Sequence, residues 1–204
     1  VVSGIDESAI LKDSRYCIYS IRTTNSSALT GDIYEIGACI IEKGILQEKT
    51  FHKYVKTDKR IDPEVLFDRN LSPEIIACAP DLEQVIKEFI EYAKDSILVC
   101  HDLKNTVAFL NTAVEKYGLD LALPTLDTLR VAREIVPNIK SNRFNKVCDA
   151  LEIKTGEIND CLKEAEITGV ILNRLIDILN QKKIFDFGGL NKEMNVDGGE
   201  SYHV

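Results

Sequence analysis

The sequence predicts an α/β domain on a mixed five-stranded sheet, an antiparallel meander followed by parallel βα units, with helices flanking it. Three observations predict it. β-branched and aromatic runs crowd the N-terminal part, helical periodicity takes over after Pro63, and the apolar run SILVC at 96–100 leads straight into a helical pattern.

RYCIYSI (15–21) reads as the first strand. After the polar loop TTNSSALTG, DIYEIGACIIEKG (32–44) reads as the second, and the alternating stretch ILQEKTFHKYV (45–55) completes the meander. Pro63 and Pro73 each stand at a first helical turn, where the missing N–H costs nothing. Over 81–93, Leu82, Val85, Ile86, Phe89, Ile90 and Ala93 recur at three and four and mark an amphipathic helix. SILVC has the unbroken apolar character of a strand buried on both faces, and the Val107, Leu110, Ala113, Val114 stripe makes its successor a helix. Leu121 to Leu126 is the fifth strand. Helices are expected at 127–135, near 143–151 and at 163–180, the last with Ile167, Ile171, Leu175 and Ile178 on one stripe. The expected organisation is one domain over 14–181 and a C-terminal extension over 182–204. In that extension Gly188-Gly189 and Gly198-Gly199 flank a polar tail leading towards a further domain of a longer chain.

Composition narrows the function classes. The 204 residues are 45% hydrophobic and 28% charged, with 11 Gly and 5 Pro, which excludes disordered and collagen-like chains. No apolar run approaches the roughly 20 residues of a membrane span, and the opening VVSGIDESAILKD has neither a basic nor an apolar signal region. No membrane association and a cytoplasmic location are therefore expected. A net charge of −8 argues against holding nucleic acid by bulk charge, so a nucleic-acid site has to be local and specific in shape. The six cysteines, Cys17, Cys39, Cys78, Cys100, Cys148 and Cys161, show no CxxC and no zinc spacing and read as reduced, mostly buried thiols.

Several phrases occur in an order that points to one family. They are YCIYSIRTT (16–24), DIYEIGACII (32–41), APDLEQVIKEFIEY (79–92), SILVCHDLKNTVAFLN (96–111), LPTLDTLRVAREIVPNIKSNRFNKVCDALEI (123–153) and CLKEAEITGVIL (161–172). Over roughly 14–180 the chain resembles the DnaQ-like 3′-to-5′ exonucleases of the DEDDh type, above all the exonuclease inserted in PolC-type bacterial DNA polymerase III. The resemblance implies an RNase H-like fold. It also implies four carboxylates holding two divalent metal ions, Mg2+ or Mn2+, with a His as general base.

Mapped residue by residue, the metal-binding acids are mostly absent. The first-strand Asp-x-Glu falls on Ser20 and Arg22, the next Asp on Thr106, the general-base His on Asn159, and the last Asp on Glu164. Only Glu164 is acidic and so the sole surviving metal-ligand candidate. Two divalent ions about 4 Å apart repel by roughly 17 kcal/mol at an effective dielectric near 20, and anionic ligands have to offset that. Here Glu164 and Arg22 sum to zero. Arg22 stays protonated at any working pH, Ser and Thr hydroxyls are weak neutral ligands, and Asn159 takes no proton. Asp102, Asp160 and Glu166 are neighbouring acids from which a site could be rebuilt.

Other matching positions carry two readings each. Glu35 and Asp127 are supporting residues of the family or plain capping groups, and His101 is a site residue or a satisfied strand end. Thr23 and Thr24 line a terminal-nucleotide pocket or form a polar turn. With Thr23, Thr24, His101 and Asp102, Arg22 makes the candidate substrate-binding set, either receiving a phosphate or pairing with Glu164. Lys104, Lys140, Arg143 and Lys146 border the cleft or lie on solvated faces. LFDRNLSPEII (66–76) and Asn142 depart from the family pattern.

The function expected is that of an inactive exonuclease-fold domain, binding nucleic acid or acting as a scaffold within a DNA polymerase III-like protein, with no cofactor. Its partners would be a single-stranded nucleic-acid 3′ end, polymerase domains or other replication proteins. The alternatives are a weak Mg2+- or Mn2+-dependent 3′-to-5′ exonuclease on DNA or RNA 3′ ends, and a protein-interaction module without nucleic acid.

Overall fold

A computed structural model describes residues 4–137, 139 and 143–194. Strand β1 (Arg15–Thr23) pairs antiparallel with β2 (Ile33–Glu42), placing Ser20 opposite Gly37 and Arg22 opposite Glu35, with an irregularity at Arg22/Thr23. The third expected strand is two strands, β3 (Ile45–Leu46) and β4 (Phe51–Tyr54), both on β2. Ile41 faces Leu46 whereas Ala38 faces Phe51, so the register slips across the polar residues 47–50, which have no apolar side chain to keep them on the core. Among the described residues the sheet consequently has six strands where the sequence predicted five.

β5 (Ile97–Cys100) runs parallel to β1, and β6 (Thr125–Asp127) parallel to β5, giving the order β3-β2-β1-β5-β6 with β4 also beside β2. β6 begins at Thr125 instead of Leu121, just past Pro124, which has no N–H; the Pro124 carbonyl still accepts from Leu98 N at 2.8 Å.

The helices are α1 (Pro63–Asp68), α2 (Pro73–Ala77), α3 (Leu82–Ala93), α4 (Leu103–Lys116), α5 (Thr128–Ile135), α6 (Phe144–Ala150), α7 (Cys161–Gln181) and α8 (Phe187–Glu193). α7 begins earlier than its apolar stripe suggests because Asp160 caps it, accepting from Lys163 N at 2.7 Å. Gly188-Gly189 is no linker but the first turn of α8, capped by Asp186 through Gly189 N at 2.7 Å. Phe187 and Leu190 of that helix are buried, and an isolated bridge joins Ile10 to Asp186. Gly198-Gly199, Lys140 and Asn142 lie outside the described residues.

The pleat sorts the core into two layers. Tyr16 and Ile18 of β1, Cys39 and Ile41 of β2, and Ile97 and Val99 of β5 face one cluster, filled by α5, α6, α7 and α8. Cys17 and Tyr19, Ile36 and Ala38, and Leu98 and Cys100 face the other, filled by α3 and α4. By the same alternation Ser20, Arg22, Glu35 and Gly37 lie on the α7 face. The six cysteines are free thiols, all buried except Cys78. Among the described residues no helix is long and apolar enough to cross a membrane.

Candidate functional site

One glycine sets the site. A Cβ on Gly37 would stand 2.1 Å from Leu162 N and 2.3 Å from Cys161 C, so the first turn of α7 rests directly on β2 there. That approach brings Glu164, one turn into α7, over the end of β1.

Both oxygens of Glu164 have partners. Its Oε1 accepts from Ser20 Oγ at 2.9 Å, and its Oε2 is ion-paired with Arg22 Nη2. Arg22 Nη1 donates further to Ser20 Oγ at 3.2 Å and to the Ile21 carbonyl at 3.3 Å. The two side chains are 18% and 24% exposed, enough withdrawn from water for the pair to be more than a surface contact. Three mapped positions, Ser20, Arg22 and Glu164, thus form one hydrogen-bonded triad, and a guanidinium occupies the space between the carboxylate and β1. These residues do not fit a pair of divalent ions.

The other mapped positions bond elsewhere. Thr106 Oγ1 donates back to the Asp102 carbonyl at 3.2 Å within α4. It lines a concavity of about 230 Å³ with Ile21, Thr23, Ser26 and Phe109. Thr23 Oγ1 donates to the Asn25 carbonyl at 2.8 Å, and Thr24 Oγ1 accepts from Asp32 N at 3.0 Å, so both hydroxyls hold the loop after β1. The Asn159 carbonyl accepts from Arg69 Nη1 at 3.1 Å, which docks the departing 66–76 segment on the entry to α7. Of the neighbouring acids, Asp160 caps α7 through Oδ1, Asp102 sits at φ 67 before α4 with no side-chain bond to that helix, and Glu166 meets Lys163 at 3.5 Å. Lys104 is exposed, Lys146 meets Asp149 at 3.5 Å, and Arg143 stands at the N-cap of α6.

Asp127 is a double cap. It accepts from Leu129 N at 2.9 Å and Arg130 N at 3.4 Å, starting α5, and from Asp102 N at 3.2 Å and Leu103 N at 3.0 Å, pinning the start of α4. His101 Nδ1 lies 3.0 Å from Thr128 Oγ1, whose own hydrogen goes to the Cys100 carbonyl at 3.2 Å. That bond makes Nδ1 the donor and leaves Nε2 a bare lone pair, buried without a partner; the His101 and Phe144 ring centroids are 5.1 Å apart, edge to face. Burial holds His101 below the ordinary 6.5 despite the neighbouring Asp127 and Glu164 carboxylates.

Glu35 is 1% exposed. Its Oε1 accepts from Cys161 N at 2.8 Å, capping α7 from β2, and lies 2.8 Å from His52 Nε2 of β4. The bond to Glu35 raises His52 against the opposing effect of burial, and Asp160 adds to the rise. Burial raises Tyr54, with Glu35 and Asp160 adding again. The sequence reading missed His52 and Arg69. The signal for His52 lay in FHKYV: Phe51 and Val55 belong to the α3 layer, so alternation turns His52 and Tyr54 towards α7.

Comparison with known proteins agrees with this architecture. The family model described as Exonuclease, RNase_T, matches residues 23–168. The chain is 28% identical over 185 residues to the PolC-type DNA polymerase III of Halalkalibacterium halodurans, covering 90% of this chain and 13% of that protein. It is 26% identical over 187 residues to the PolC-type DNA polymerase III of Bacillus subtilis, covering 91% and 13%. The chain therefore spans about an eighth of the curated relatives it matches. Among solved structures, E. coli Exonuclease I in complex with a dT13 oligonucleotide superposes with a TM-score of 0.69 at 9% identity, over 83% of this chain and 42% of that one. A 3′-exonuclease that recognises the 3′ end of a histone mRNA stem-loop gives 0.64 at 16% identity, over 83% and 67%. The matched length and the mixed sheet together identify this chain as a member of the Exonuclease (RNase_T) family, related to the exonuclease of PolC-type DNA polymerase III.

Proposed function

We propose that this chain is a catalytically silent exonuclease-fold domain of a DNA polymerase III-like protein that keeps a cleft for a single-stranded nucleic-acid 3′ end. The observation that carries the reading is the Ser20–Arg22–Glu164 triad. Each oxygen of the one mapped carboxylate already has a protein partner, and a permanent cation stands where a metal ligand would have to be. Without the metals, water has no Lewis acid to lower its pKa, and Asn159 accepts no proton in place of a His.

Support for a binding role comes from the concavity between Thr23 and Thr106, and from the solved relative that holds an oligonucleotide. Binding would be local, because the chain as a whole carries −8. The test is fluorescence anisotropy of a 5′-labelled single-stranded oligonucleotide across a salt series in Mg2+. Binding that weakens with salt, with the oligonucleotide left intact, supports the reading. Shortening of the oligonucleotide refutes silence, and no binding at low salt refutes the cleft.

A protein-interaction role is the second reading, favoured by one observation. A groove of about 560 Å³ runs along α7, lined by Leu46, Ile153, Ile167 and Val170 with Glu152 and Asp177 among its charges. Loss of oligonucleotide binding together with capture of a replication protein would favour it.

A further inference from the structure

We propose that Glu35, His52 and Asp160 form a binding site for one divalent transition-metal ion, zinc in the first instance, separate from the family's carboxylate set. One ligand atom from each of the three lies within 4.8 Å of the others. They come from three elements, β2, β4 and the entry to α7, that the sheet register and Gly37 hold together.

The geometry is close to what zinc requires. Zinc binds His nitrogen and carboxylate oxygen at about 2.0–2.2 Å, which puts tetrahedral ligand atoms roughly 3.3–3.6 Å apart. His52 Nε2 and Glu35 Oε1 are 2.8 Å apart and need to open by about half an ångström. Asp160 has to close by about 1.5 Å at most, from within 4.8 Å, which rotation of a half-buried side chain supplies. Glu35 uses Oε1 for both its contacts and Asp160 caps through Oδ1, so each carboxylate has a second oxygen to offer without releasing α7.

Charge favours a cation. Two carboxylates supply −2, one of them almost wholly buried. That outweighs the half-charge of the α7 N-terminus, which the same two carboxylates already neutralise by capping. The imidazole selects a borderline metal over Mg2+ or Ca2+, and three protein ligands leave a fourth position for solvent. A bound ion would tie the β4 edge strand to α7 and hold the triad's helix in place.

The test uses the whole chain, stripped with chelator, in calorimetric titrations with ZnCl2 and separately with MgCl2. His52→Ala removes the imidazole from an edge strand, and Asp160→Asn removes the charge while keeping a good helix cap. Cys78→Ser controls for zinc on the one exposed thiol. The expected result is one zinc per chain, affinity reduced at least tenfold in His52→Ala and in Asp160→Asn, no change in Cys78→Ser, and no saturable magnesium binding. The melting temperature should rise with zinc in the parent and not in His52→Ala. Absence of saturable zinc binding, or equal binding by His52→Ala, overturns the proposal.

Discussion

Replacing Gly37 by Ala should be among the most destabilising single substitutions in this chain. The added methyl would stand 2.1 Å from Leu162 N, 2.3 Å from Cys161 C and 2.6 Å from Leu162 Cα. All three are backbone atoms, so no rotamer relieves the clash, and reaching ordinary contact at 3.4 Å means moving the helix by about 1.3 Å, the difference between 3.4 and 2.1. That shift also stretches the 2.8 Å bond from Cys161 N to the buried Glu35 carboxylate. Overpacking alone costs about 1–3 kcal/mol, and weakening a bond to a buried charge adds about 1–3 more. The expected loss is therefore about 2–6 kcal/mol, a large share of a typical domain's stability. Urea titration followed by far-UV circular dichroism reads it, with two glycines as internal standards. Gly169→Ala meets only the flexible end of Ile41 at 2.7 Å and gains helix propensity, so it should stay within about 1 kcal/mol of the parent. Gly44→Ala has open space but a φ of +76 and should cost about 1 kcal/mol. If Gly37→Ala costs no more than these two, the contact between α7 and β2 does not position the site, and the reasoning fails.

Four further outcomes follow. A double-mutant cycle on Arg22→Ala and Glu164→Ala should give a coupling energy near 2 kcal/mol in urea melts, between the values for exposed and buried pairs. Asp127→Ala removes the partner of four backbone amides and should lower stability by about 2–4 kcal/mol in thermal melts, whereas Asp127→Asn should recover part of it. His101 is held below 6.5 in the fold by burial, so the unfolded chain binds the extra proton. Stability should rise with pH through the window between the folded value and 6.5, be fully present above it and fall away below, and His101→Gln should flatten that slope in pH-dependent melts. Rebuilding the mapped set, Ser20→Asp, Arg22→Glu, Thr106→Asp, Asn159→His and Glu164→Asp together, should create Mg2+-dependent shortening of a labelled oligonucleotide; an inert variant that binds Mg2+ would show that the surrounding cleft has diverged as well.

Much of the fold was legible because its strands announce themselves by burial. β1, β2 and β5 are apolar runs covered on both faces, and α3 and α7 carry stripes that only a helix aligns. The broken third strand was missed although the polar run Gln47 to Thr50 interrupts the alternation of 45–55, because a polar run on an edge strand also fits a continuous, solvated edge. The start of α8 was misread for a related reason: a Gly pair resembles a linker until Asp186 and the buried Phe187 and Leu190 are seen around it. At the site, the proximity of Ser20, Arg22 and Glu164 follows from residue types mapped onto a family pattern. The Glu35–His52–Asp160 cluster joins positions 17 and 125 apart from Glu35, and only the register of β4 on β2 and the close approach at Gly37 bring them together.

The central claim is that the triad has replaced the metals, and one assay reaches it most directly. A 5′-labelled single-stranded oligonucleotide is incubated at high protein concentration with Mg2+, then with Mn2+, beside a chelator control and the Glu164→Ala protein. The account predicts no metal-dependent loss of 3′ nucleotides by the parent, at a rate indistinguishable from Glu164→Ala. Shortening that requires metal and disappears in Glu164→Ala would contradict it, and would mean that Glu164 leaves Arg22 to hold a catalytic ion.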